Sequence, residues 1–255
     1  MNADVTRDMT FASGACVALR LLVAASFLCF MRSAFPDDAK GYTDIAGEAV
    51  KQELVQRTPR GLSENQSAEI AGRYGPSAVP ALVGMLKDPG SDPGPQGMAC
   101  LVLAKMPGTE GRDAVIAYVR ERLAAGELTR DQADWLNVSM VAIGQMADEV
   151  SLRFLEEIAG RSYWELPRVP PVIHQNSRGE ESISGDQARL YLRETAMSSG
   201  LGNVPRGRQT EALDILRRLK AGDASDMAKT IDFRIADMEK RIASEEQPPS
   251  NNVTP

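Results

Sequence analysis

The stretch from Gly75 to Met106 constrains this chain most, because two helical patterns follow each other there and the second has almost no polar side. In the first, Val79, Leu82, Val83 and Leu86 fall at i, i+3, i+4 and i+7, a single apolar stripe. In the second, Ala99, Val102, Leu103 and Met106 repeat that spacing while Cys100 and Leu101 fill the sides. A helix apolar nearly all round cannot face water and must be sandwiched between neighbours. The unit is therefore expected to be one member of a stacked helical array.

The same residues resemble a HEAT or HEAT-like repeat. Pro80, Ala81, Leu82 and Leu86 match the first helix of that pattern, Asp88 and Pro89 its turn, and Ala99, Leu103 and Ala104 its Ala-rich second helix. The Arg usual early in the second helix is missing, and the turn reads as lengthened by Gly90 to Gly97. The resemblance covers this one unit well and implies an α-solenoid used for protein interaction, with no catalytic residues to carry over.

Weaker copies follow. Ile116, Val119 and Leu123 form a stripe that ends at Ala125-Gly126, and a partner helix from about Arg130 to Met146 presents Leu136, Met140 and Ile143, with Trp135 beside them. Its close, MVAIGQM, echoes CLVLAKM of the first unit. A third pair opens with Phe154, Leu155 and Ile158 and ends at Ala159-Gly160. Its partner, from Asp186 to about Ser199, carries Ala188, Tyr191, Leu192 and Thr195 on one face. The fourth uses Ala212, Ile215, Leu216 and Leu219, then Met227, Ile231, Ile235, Met238 and Ile242. Gly200-Leu201-Gly202 follows a helix, which excludes a strand-dependent dinucleotide fingerprint and makes it a helix end. Ser63 with Gln66, Thr129 with Gln132 and Ser184 with Gln187 have the spacing of reciprocal capping boxes, each marking a helix start.

The expected fold is all-α, a short α-solenoid of roughly four HEAT-like antiparallel helix pairs. Residues 35–74 supply N-terminal capping helices, with modest helices at 43–56 and 66–74. Residues 75–244 form the array, and the tail 245–255 is polar, Pro-rich and disordered. Residues 161–183 contain Pro167, Pro170 and Pro171 and no helical period, which reads as a long loop inserted between the third pair's helices.

Residues 1–34 read as an address. Leu21 to Met31 is an unbroken apolar run between Arg20 and Arg32, the length of a signal-peptide core and short of a spanning helix. Export follows, to a periplasmic or other extracytoplasmic space, with the run as a signal peptide or an uncleaved signal anchor. Extended back to Phe11, residues 11–31 reach spanning length and could tether the chain to a membrane, although Arg20 would then lie inside it.

Composition narrows function. The net charge is -6, and the first 34 residues are net positive by one, so the remainder holds -7. Phosphate backbones repel such a chain, which argues against nucleic acid as a partner. Aromatic content of 5% argues against a β-sandwich. Of three cysteines only Cys100 falls outside the N-terminal segment, on an apolar helix face where an inert small hydrophobe is expected. With a single histidine, His174, no zinc site is expected, and neither a cofactor motif nor a Ser-nucleophile turn, phosphate loop or metalloprotease helix occurs.

Function shows most in the inserted loop, where Tyr163, Trp164 and His174 are the candidate partner-binding residues: long insertions in solenoids often sit on a binding face, and Tyr and Trp anchor interfaces. The expectation is an exported, non-enzymatic interaction scaffold that binds another protein through its concave side or this loop. The alternatives are a modifying enzyme of the HEAT-like bilin-lyase type and a membrane-tethered structural subunit of a larger complex.

Overall fold

A computed structural model describes residues 38–58, 61–169, 172–176, 179–183, 192–222 and 227–246, with backbone alone for 38–43, Tyr163, both strands and Glu246. The fold is helical: α1 (Asp38–Arg57), α2 (Glu64–Tyr74), α3 (Val79–Lys87), α4 (Pro93–Leu103), α5 (Glu110–Ala124), α6 (Arg130–Met146), α7 (Glu149–Gly160), α8 (Gln209–Gly222) and α9 (Ala228–Glu246). Two compact units divide the chain, residues 1–45 and 46–255. The described part of the first is the opening of α1; all packing below belongs to the second.

Local chemistry sets the helix starts. Ser63 and Gln66 form the expected reciprocal box, with Gln66 N–H donating to Ser63 Oγ at 3.3 Å and Ser63 N–H to Gln66 Oε1 at 2.9 Å. Thr129 and Gln132 repeat it at 3.2 and 2.8 Å. The third expected box, at Ser184, lies outside the described residues. A cap the spacing rule does not find starts α7: Asp148 accepts from Ser151 N–H at 2.8 Å and from Arg112 Nη1 at 2.9 Å. Burial alone would raise the Asp148 pKa, but those bonds outweigh it and hold the carboxyl below its ordinary range.

The expected long turn from Gly90 to Gly97 is corrected. The α3–α4 turn closes by Asp92, and α4 begins at Pro93, a first-turn position where a missing N–H costs nothing. Gly94 through Leu103 are all buried, so the all-round apolar helix is covered on every side. The one fully buried amide in it is satisfied: Gln96 donates to Met85 O at 3.1 Å and Asp88 O at 3.0 Å and accepts from Arg122 Nη2 at 3.0 Å. It thereby ties the end of α3 to α4 and α5, using carbonyls that the α3 terminus leaves without helical partners.

Contacts follow the chain in a regular way. Consecutive helices pair as α3 with α4, α5 with α6, and α8 with α9. Next-but-one helices also touch: α2 on α4, α4 on α6, α3 on α5, and α5 on α7. After the inserted segment, residues 192–195 are helical and run into a π-helical turn, Ala196–Gly200, and a 3₁₀ turn, Leu201–Asn203. This return segment packs on α6 and α7, and α8 follows onto α7. The core is continuous, with Leu82, Met98, Leu136, Ile143, Leu155 and Leu192 among its fully buried side chains.

Glycine makes the α4–α6 and α6–return contacts unusually close. A Cβ at Gly97 would sit 2.5 Å from Trp135 Cε3. One at Gly144 would overlap the Gly200 carbonyl oxygen and come within 2.8 Å of its carbonyl carbon, while one at Gly200 would meet Leu155 Cδ2 at 2.5 Å. Three successive elements thus approach through side-chain-free positions.

The inserted segment departs from the expected loop. It holds a 3₁₀ turn, Tyr163–Glu165, and an antiparallel hairpin of β1 (Val172–Asn176) and β2 (Gly179–Ile183), with His174 opposite Glu181 in register. The Ser177-Arg178 connection has hairpin length and both strands carry β-branched residues, but Pro170-Pro171 steers a sequence reading toward coil. The expected signal segment lies outside the described residues; among those described, no helix is long and apolar enough to cross a membrane.

Gly144→Ala is expected to cost about 3 kcal/mol or more, since the obstacle is backbone that cannot swing aside. Gly84→Ala, exposed on α3 with nothing within 4 Å of the added methyl, should instead stabilise by about 0.5–1 kcal/mol. Urea unfolding of both variants checks the contrast.

Candidate functional site

The inserted segment leaves α7 through a set of short-range bonds. Arg161 N–H donates to Ile158 O at 3.2 Å, and the Arg161 guanidinium pairs with Glu157 at 2.6 Å. Ser162 and Glu165 then bond reciprocally, Ser162 N–H to Glu165 Oε2 at 2.9 Å and Glu165 N–H to Ser162 O at 3.0 Å. This closes the 3₁₀ turn that carries Tyr163 and Trp164. Trp164 is 66% exposed, so it is not tucked beneath the segment as a core satellite.

The turn is held from its C-terminal side as well. Leu166 and Val169 are buried, and between them Arg168 N–H donates to Gly126 O at 3.0 Å while Leu128 N–H donates to Arg168 O at 2.8 Å. A two-bond parallel bridge therefore pins the base of the insertion to the α5–α6 connection. At the far end, the buried Arg193 donates through Nε to Ala159 O at 3.1 Å, fixing the return segment to the last turn of α7. A large aromatic surface presented on a turn fixed at both flanks loses little entropy on binding.

Tyr163 and Trp164 share the 3₁₀ turn, whereas His174 lies on β1, opposite Glu181. The residues sequence reasoning missed are Leu166, Arg168 and Val169. Their signal was two apolar residues three apart in a polar, proline-broken stretch, legible only once the α5–α6 connection is known to lie beside them.

A second surface runs along α7. One groove of about 660 Å³ lies between α5 and α7, over Ile116, Ala117, Val150 and Phe154. Another of about 570 Å³ lies between α7 and α8, over Leu152 and Ile215. Both are open and ringed by ion pairs: Arg120 to Glu157 at 3.4 Å, Arg153 to Glu149 at 2.6 Å, and Arg218 to Glu156 bidentately at 2.8 and 2.9 Å. Cys100 lines neither groove.

Among the described residues, no group of three or more His, Cys, Asp or Glu is placed to hold a metal ion. Cys100 is fully buried, and burial pushes its thiol up to about 12 despite a 3.4 Å hydrogen bond donated by Ser139 Oγ. A thiol that far from ionising is a poor nucleophile at neutral pH. With Cys16 and Cys29 replaced by serine, a thiol reagent such as dithionitrobenzoate should label no group in the native protein and one after unfolding in urea. No family model matches this chain, and no curated protein and no solved structure matches it.

Proposed function

We propose that this chain is an exported, non-enzymatic interaction scaffold that binds another protein through the inserted segment of a short α-solenoid. In this reading residues 75–244 make roughly four HEAT-like helix pairs. The helices α3, α5, α7 and α8 form one row, and α4, α6, the return segment and α9 the other, with α2 as a cap on α4. The contact pattern supports it, since α3 meets α4, α5 meets α6, α7 meets the return segment and α8 meets α9, and α3, α5, α7 and α8 meet in succession, as do α4, α6 and the return segment. So does α4, whose ten buried residues, Gly94 to Leu103, need cover from both rows. Stacking of this kind yields extended surfaces without any catalytic constellation.

The observation that carries the binding role is the exposure of Trp164 on a turn anchored by Leu166, Val169 and the Arg168 bridge. Exposing an indole to water is unfavourable, and tryptophan is over-represented among residues that dominate binding energy. Tyr163 and His174 extend the same segment. The apolar run Leu21–Met31 supports export, and recovery of the full-length chain wholly in the cytosol of its host would end that part of the proposal.

Trp164→Ala should weaken capture of the native partner by about 2 kcal/mol, roughly 30-fold in affinity, while the melting temperature shifts by no more than about 2 °C. Partner capture by tagged full-length protein in its own host, followed by titration, measures the first, and circular dichroism the second. Unchanged affinity, or a collapse in melting temperature, contradicts the assignment.

A further inference from the structure

Of the helices α1 to α9, all but the first lie along a neighbour. No other described helix follows the backbone of α1, and from Ala46 on it is held at separate points. Gly47 crosses α3, where an added Cβ would lie 2.8 Å from Ala81 Cβ. Val50 and Leu54 continue that stripe, three and seven residues on, and are fully buried. Just past the helix end, Thr58 Cγ2 fills the space that a side chain on Gly94 would need, at the first turn of α4. Thr58 Oγ1 meanwhile donates to Leu54 O at 3.1 Å, closing α1 on itself.

Among the described residues, the polar bonds that tie α1 to another helix converge on Glu53. Its carboxylate accepts from Arg73 Nη1 and from Tyr74 Oη of α2, each at 3.0 Å, and from Arg57 Nε of its own helix at 3.0 Å. Gly41 and Gly47 lower the intrinsic stability of α1, so the helix draws its order from docking. Contact at points in place of a continuous seam is what marks a locally opening segment. Opening breaks these points and leaves the contacts among α2 to α9 intact. We propose that α1 is a strap that opens as a unit while α2 to α9 stay folded, with Glu53 as its latch, so that the α3–α4 end is capped reversibly. In the open form Ala81 and the first turn of α4 meet water. The capping role rests on the proposed array, whereas the opening rests on the contacts of α1 itself.

Hydrogen exchange of the full chain, read amide by amide at rising low concentrations of urea, tests the proposal. Amides of residues 50–57 should exchange at least about hundredfold faster than those of α4 and α6 and with almost no urea dependence, while α4 and α6 follow global unfolding. Glu53→Gln should speed exchange in α1 by about tenfold, because it removes the charge that both α2 donors share. Ile143→Val, which truncates a buried side chain of α6, should speed α4 and α6 by about fivefold and leave α1 unchanged, since the body carries the substitution equally with the strap open or closed. Exchange in α1 that steepens with urea as α4 does, or that quickens with Ile143→Val in step with α4, would overturn the proposal, because α1 would then open only with the whole fold. Unchanged α1 exchange in Glu53→Gln would overturn the latch.

Discussion

Close approach at a few glycines, backbone to backbone where Gly144 meets Gly200, governs how this chain is assembled. At Gly144 any side chain would collide with the main chain of Gly200, far on in sequence, while at Gly200 the Leu155 side chain and at Gly97 the Trp135 ring fill the space a methyl would take. Such contacts admit one register, because sliding either partner by a residue brings a side chain into the gap. They also fix where the return segment lies after the insertion, and hence where α8 meets α7. The π-helical turn at Ala196–Gly200 ends on the glycine that makes the contact, which is consistent with local helix geometry yielding to that fit.

Contacts elsewhere are looser and more polar. The helices α5, α7 and α8 face one another through arginine–carboxylate pairs such as Arg120 with Glu157 and Arg218 with Glu156. Exposed pairs of this kind contribute little, about 0–1 kcal/mol each, so they steer alignment more than they hold it. The difference between the two sets of contacts fits the open grooves along α7 and the closed seam between α4 and α6, where Trp135 fills the space against Gly97.

Much of this was legible from residue order. The stripes of Val79 to Leu86, of Ile116 to Leu123 and of Phe154 to Ile158 are buried as their spacing implies, and the burial of α4 follows from its composition alone. Capping boxes at Ser63 and Thr129 were legible because their chemistry is local. What was hidden depended on distant partners. Gly94 and Gly97 read as turn residues because glycine disfavours helices, and only distant side chains, Thr58 and the Trp135 indole at Gly94 and the same indole at Gly97, make them useful within one. The hairpin was masked by the prolines before it, and the anchoring role of Leu166 and Val169 depends on the α5–α6 connection, which no local pattern announces.

The proposed array rests on α6 and the return segment lying in direct contact. The most direct measurement is the nuclear Overhauser spectrum of a perdeuterated sample carrying protonated glycine, read for a cross-peak between the Hα atoms of Gly144 and Gly200. The account predicts that cross-peak, because the Gly200 Cα lies 3.2 Å from where a Cβ on Gly144 would stand. Its absence in a folded protein, with the glycine contacts of α6 leading to α8 instead, would contradict the stacking order described above.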